Sequence, residues 1–242
     1  MKLKSSYKKA RLILGDQLNR DHTWYQKQDS DCLYILMEMH QETNYVKHHI
    51  QKIVAFFLSM EAIGQWLSES NHDVLYLKLD DPRNTGNLIE NLESVIKDFG
   101  ISQIEYQLPD EYRLDEQMEG LDSELGIPCL AVDTEHFLTE RDELAKFFEG
   151  KKTLLMESFY RYMRKKYNLL MDPMDDSQPL TGKWNYDHEN RGSIKAKHDI
   201  EAPFLYKKDV ESLISRIDNQ GVSYIGNIEA DDFIWPTTPD ES

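Results

Sequence analysis

Cysteine is scarce in this chain: two in 242 residues, Cys32 and Cys129, each inside a short apolar run and neither in a CxxC pair. A zinc or iron–sulfur centre needs three or four thiolate or imidazole ligands at short spacing, so none is expected from this chain. Long hydrophobic runs are missing as well. The most apolar stretch, 50–67, is broken by Ser59, Glu61 and Gln65, and the basic start through Arg11 holds no apolar core of a signal peptide. These features predict a reduced, cytoplasmic protein that makes no membrane contact and acts as a monomer. There is no G-x-G-x-x-G and no G-x-x-x-x-G-K-[ST], hence no glycine loop to cradle phosphates. Bases are few: 28 Lys and Arg face 44 Asp and Glu, a net charge of −16, which excludes the whole surface as a nucleic-acid platform. One stretch runs against this balance. Residues 151–170 carry Lys151, Lys152, Arg161, Arg164, Lys165 and Lys166 against the single acid Glu157.

What is present is the material of a packed core, with 40% apolar and 11% aromatic residues. Five short apolar runs, 10–15, 32–37, 74–79, 103–108 and 129–132, read as strands. Helical patterns lie between them. The first covers 48–69, with Ile50, Ile53, Val54, Phe57, Met60 and Leu67 at the 3.6 period. A second covers 87–98 with Gly100 as its cap, and a third covers 113–125, ended by Gly126 and Pro128. Strands separated by crossover helices imply an α/β fold with a doubly wound, five-stranded parallel sheet of Rossmann-like type. After the fifth strand the alternation stops. Helices are predicted over 138–148 and 153–170, then a long polar segment over 168–208, a last helix over 208–219, and an acidic tail. The chain thus reads as an α/β domain over 1–135 and a helical and loop connector over 136–242.

In such a sheet, ligands bind outside the carboxyl ends of the strands. Those ends release Gly15-Asp16-Gln17, then Glu38 to Tyr45, then Asp110-Glu111-Tyr112-Arg113. With Asp16, Glu38, Glu42, Asp110 and Glu111 around the crevice, a triphosphate would be repelled, whereas a neutral heterocycle can donate to carboxylates and stack on Tyr45 or Tyr112. Asp16 and Asp110 read equally well as turn residues or helix caps. His48 and His49, adjacent on a helix, point about 100° apart and do not make a metal pair. Tyr45 and His49 share a face if the helix already includes Tyr45. Downstream, Arg161, Arg164 and Lys165 form one basic stripe, with Phe159, Tyr162, Met163 and Leu170 supplying a buried one. The loop 182–191 places Lys183, Asn190 and Arg191 where phosphates or an unstacked base can be met.

Four stretches in order, LILGDQL at 12–18, EMHQETNYVKHHIQKI at 38–53, MESFYRYMRKKYNLLM at 156–171 and GKWNYDHENR at 182–191, resemble the deoxyribodipyrimidine photolyase-related family. Its members are bacterial cryptochromes and prokaryotic (6-4) photolyases. The resemblance implies an N-terminal antenna domain that holds 6,7-dimethyl-8-ribityllumazine, and a helical C-terminal domain that holds FAD and a [4Fe–4S] cluster and acts on UV-damaged DNA. It implies a lumazine pocket at Gly15, Asp16, Gln17, Met37, Glu42, Tyr45, Asp110, Glu111 and Tyr112, and DNA contact by Arg191, Asn190 and Lys183. The sequence departs from the family at Asp110, where glycine is expected, and at Tyr112, where tryptophan is. The helical domain is not represented, so this chain is expected to bind the antenna chromophore without catalysing repair. Two alternatives stay open: a stand-alone flavin- or nucleotide-binding module, and a small metal-assisted nucleotide hydrolase.

Overall fold

Every residue of strand β2 (Cys32–Met37) is buried, as expected only of a strand covered on both faces. The computed structural model describes residues 3–192 and 202–242. Around β2 lie β1 (Lys9–Leu12), β3 (Asp73–Leu77), β4 (Gln103–Gln107) and β5 (Cys129–Val132), all parallel, in the order β3-β2-β1-β4-β5. The predicted α/β parallel sheet is therefore the fold. Strand order reverses at β1, which puts the ligand-binding crevice of a doubly wound sheet at its carboxyl end. The first strand is shorter than its apolar run: Ile13 and Leu14 stay buried but lie beyond the last paired residue, Leu12.

Helix α2 (Ile50–Glu69) crosses from β2 to β3 and seats Ile50, Ile53, Val54, Phe57, Met60, Ile63 and Leu67 against one face of the sheet. On the other face lie α3 (Leu88–Phe99), α4 (Tyr112–Glu119) and α5 (Leu121–Leu125), packed over Leu12, Leu33, Ile35 and Ile104. The predicted helix 113–125 is two helices, because the backbone breaks at Gly120. Helix α3 has the predicted stop: Gly100 adopts φ 65°, left-handed, and its N–H bonds back to Ile96 O. Its start is fixed by the Asn87 side chain, which accepts from the N–H groups of Ile89 and Glu90.

The chain divides into two units, one of Met1–Glu135 with Phe204–Ser242, the other of His136–Pro203. The sequence reading keeps 136–242 together, whereas the tail here returns to the sheet. Helix α8 (Glu211–Asn219) buries Leu213 and Ile217 in the same cluster as α2, alongside Val210, Val222 and Phe233. Each such side chain contributes roughly 1.5–3 kcal/mol when fully buried, a term that local sequence pattern does not reveal.

The second unit holds α6 (Glu143–Phe148), α7 (Met156–Lys166) and an antiparallel hairpin of β6 (Met171–Asp172) and β7 (Asp175–Pro179). The hairpin lies inside the segment predicted as loop, of which 193–201 fall outside the described residues. Its turn is Asp-Pro-Met-Asp, with the Met174 N–H bonded to Asp172 Oδ1 at 2.8 Å. Phe147, Phe148, Phe159 and Tyr162 gather as a ring cluster with centroids 4.9–6.2 Å apart.

Candidate functional site

A cavity of about 220 Å³ opens at the carboxyl ends of β1, β2 and β4 in the first unit. Leu12 to Asp16 come from β1 and its exit, Met37 and Met39 from the end of β2, Ile53, Phe56, Phe57 and Met60 from α2, Glu111 from the β4–α4 connection and Leu114 from α4. The interior is thus built of aliphatic, thioether and aromatic groups. Gly15 is small for a reason visible here: a Cβ on it would stand 3.1 Å from Met60 Sδ and 3.3 Å from Phe56 Cδ1.

The rim is a connected polar and aromatic series. Glu42, on α1 (His40–Asn44), accepts from both Arg113 Nη atoms at 2.7 and 3.3 Å, and Glu111 accepts from Arg113 Nε and Nη2 at 3.1 and 2.9 Å. One guanidinium therefore holds two crevice carboxylates. Burial alone would pull its proton affinity down, and the bonds to Glu42, then Glu111, raise it instead. The same guanidinium lies 4.4 Å from the Tyr45 ring centroid, within cation–π range. Tyr45 meets the His48 ring edge-on at 5.0 Å, and His48 Nδ1 accepts from Lys52 Nζ at 3.3 Å. Lys52 in turn lies 5.6 Å over the Phe56 ring. The shared helical face anticipated for Tyr45 and His49 is not formed, because α1 stops at Asn44 and α2 begins at Ile50, with His49 capping it through Nδ1 to the Gln51 N–H.

Six of the nine residues expected at the pocket line this cavity: Gly15, Asp16, Met37, Glu42, Tyr45 and Glu111. Three do not. Gln17 is 1% exposed and is spent on the backbone, accepting from the Leu14 N–H and donating to the Gln107 carbonyl. Asp110 lies in the bend before α4, away from the lining. Tyr112 is 74% exposed, with its hydroxyl on Glu116 one helical turn on, so it offers the cavity no ring. Glu38, counted among the crevice acids, is fully buried instead. It accepts from Tyr76 Oη, the Leu79 N–H and Arg216 of α8 at 2.8–3.0 Å. Burial pushes its carboxyl upward, against the pull of Arg216. The strongly acidic crevice inferred from sequence is accordingly milder, since one of its acids is internal and two share an arginine.

In the second unit the basic stripe is not free. Arg164 is 6% exposed and donates to the carbonyls of Leu169, Trp184 and Leu170. Together with Arg161 and Lys165 it surrounds the Trp184 ring at 5.1–5.4 Å. Of the stripe expected to be buried, Phe159 is inside, while Tyr162 and Leu170 are exposed. Lys183, Asn190 and Arg191 are exposed on this unit, Arg191 closing a short 3-10 turn.

Sequence reasoning missed Lys52, His48, Phe56 and the clamp role of Arg113. A signal existed for Lys52 and Phe56. Lys52, Phe56 and Met60 recur every four residues, one helical face that ends in a cation rather than in more core. The clamp of Arg113 was half visible: Glu111 lies two residues away, but Glu42, its other partner, is 71 residues away.

The model of the deoxyribodipyrimidine photo-lyase-related protein family matches residues 11–233. A (6-4) photolyase of Agrobacterium fabrum is 34% identical over 221 residues, which cover 87% of this chain and 42% of the relative. An uncharacterized protein of Acanthamoeba polyphaga mimivirus is 25% identical over 177 residues, 70% of this chain and 86% of the viral protein. The chain thus spans less than half of the bacterial enzyme it matches. A family match that runs from the end of the first strand to the tail packed beside α2 takes in the sheet, the cavity and both units, and the chain belongs to the deoxyribodipyrimidine photolyase-related protein family.

Proposed function

We propose that the first unit is the antenna module of a photolyase- or cryptochrome-type flavoprotein and that its cavity holds 6,7-dimethyl-8-ribityllumazine. The observation that carries this reading is the cavity itself: an apolar slot at the sheet's switch point, edged by Glu42, Glu111, Asp16 and Tyr45. At about 220 Å³ it lies below the roughly 300–1,000 Å³ of clefts that enclose drug-sized ligands. A fused bicyclic ring suits that volume, and a dinucleotide such as FAD does not. The carboxylates accept hydrogen bonds from the ribityl hydroxyls at the rim, Tyr45 supplies an aromatic edge, and the methionines give a polarizable lining. When bound, the lumazine supplies near-ultraviolet and blue absorption. This chain's residues orient it and keep water from its ring.

In this reading the FAD and [4Fe–4S] cofactors of the family have no place among the described residues. Cys32 and Cys129 lie on strands separated by two others in the sheet, and burial pushes their thiols up to about 12 and about 11, away from the thiolate a cluster needs. Among the described residues no three His, Cys, Asp or Glu groups converge on a metal site, which disfavours the hydrolase alternative. Those cofactors, the flavin domain and damaged DNA belong in this proposal to the longer protein, with Arg191, Asn190 and Lys183 on its DNA side.

The test is retention of added 6,7-dimethyl-8-ribityllumazine through gel filtration, read by absorbance and fluorescence. Retention without flavin bands supports the antenna module; no retention, together with metal-dependent phosphatase activity, overturns it. Glu42→Ala and Tyr45→Ala are expected to lower occupancy at unchanged near-ultraviolet circular dichroism. Light-driven repair by this chain alone is expected to be nil.

A further inference from the structure

The two sides of the cavity rim are charged differently. Glu42 and Glu111 are both engaged by Arg113, whereas the start of α2 brings Lys52, whose ammonium lies against the His48 imidazole and the Phe56 ring. Lys52 is exposed and His48 half-buried, and both line the cavity. The bond between them has a direction. Lysine carries no acceptor, so Nδ1 of His48 accepts, and the proton of the neutral ring sits on Nε2. Two donors, Lys52 Nζ and His48 Nε2, therefore stand together at the mouth, neither in an ion pair with a carboxylate among the described residues. A polyol hydroxyl needs no such pair, and the carboxylates already serve it. An anion does need it, through charge-assisted bonds to two donors.

We propose that Lys52 and His48 form an anion subsite at the mouth of the cavity, and that the preferred ligand is a ring with a phosphorylated side chain, such as the 5′-phosphate ester of the ribityllumazine. This rests on the antenna reading and deepens it: the apolar slot takes the ring, Glu42 and Glu111 meet the polyol, and Lys52 with His48 close on the terminal phosphate. The residue that sets this preference is Lys52, a point charge at the mouth of the cavity.

The experiment compares dissociation constants of 6,7-dimethyl-8-ribityllumazine and its 5′-phosphate, by fluorescence titration at low and high salt. With wild-type protein the ester is expected to bind about tenfold more tightly, about 1.4 kcal/mol, and salt should erode that gain. In Lys52→Gln the ratio of the two constants is expected to fall toward one, whatever happens to each alone, and Lys52→Arg should restore most of it. Lumazine that binds as tightly as its ester, or a ratio that survives Lys52→Gln, overturns the subsite and leaves the antenna module standing. If neither compound binds, the antenna reading fails and the subsite with it.

Discussion

Arg216 shows how much one side chain can carry in this fold. It reaches from α8 to Glu38 at 3.0 Å and Glu61 at 2.8 Å, and Glu38 has no contact with water. Removing the arginine strands a buried carboxylate, so Arg216→Ala is expected to cost about 3–5 kcal/mol, measured by urea unfolding. Breaking the exposed Lys8–Asp31 pair should move the same midpoint hardly at all. A second test concerns pH. Glu105 is opposed by burial, yet the bonds from Arg11 and then Lys9 hold its carboxyl below the ordinary glutamate range. A depressed acid contributes stability above its unfolded value, about 4.3, and loses it as pH falls through the folded value. Glu105→Gln should therefore be less stable than the wild type by about 1.5–3 kcal/mol at neutral pH, with the gap closing in acid. None of these partners was legible in the sequence. Arg11, Glu105, Glu38 and Arg216 lie far apart along the chain, and only the folded sheet pairs them.

Elements were far more legible than pairs. The strands at 32–37 and 129–132 and the start and stop of α3 lie where the sequence puts them, because apolar runs, an Asn cap and a left-handed glycine act locally. Asn87→Ala should cost about 1 kcal/mol, read from thermal unfolding. What failed at this scale were junctions decided by tertiary contacts. The start of α2 is one: the Ile50 N–H is taken by Ile225 O, and the Ile225 N–H by His48 O, so the tail sets where the helix begins. Gly226, at φ 81°, lies against the His49 ring, where a Cβ would sit 1.9 Å from Nε2. Gly226→Ala is expected to destabilise by about 1–3 kcal/mol or more and to lower lumazine occupancy, since Lys52 and Phe56 follow within two turns. Unchanged stability and occupancy would refute that placement of the tail.

For the whole molecule, the parallel sheet and the crevice could be read in advance because alternation of strand and helix leaves few topologies. The return of residues 204–242 could not, because an acidic segment with one short helix carries no sign of which face it will cover. The prediction follows that a chain ending at residue 203 exposes the surface now covered by Leu213, Ile217, Val222 and Phe233. It should bind a hydrophobic dye and lose its cooperative unfolding transition. The tail has a further consequence. It is bolted at two points that flank the cavity: at Glu38, between the lining residues Met37 and Met39, and at the backbone of Ile50 and of the lining residue His48. Any ligand that steadies those two points must slow the amide hydrogen exchange of α8, and by reciprocity whatever grips the tail must alter how long the ligand stays. The cavity and residues 204–242 then form one thermodynamic unit, in which ligand residence can be tuned from α8.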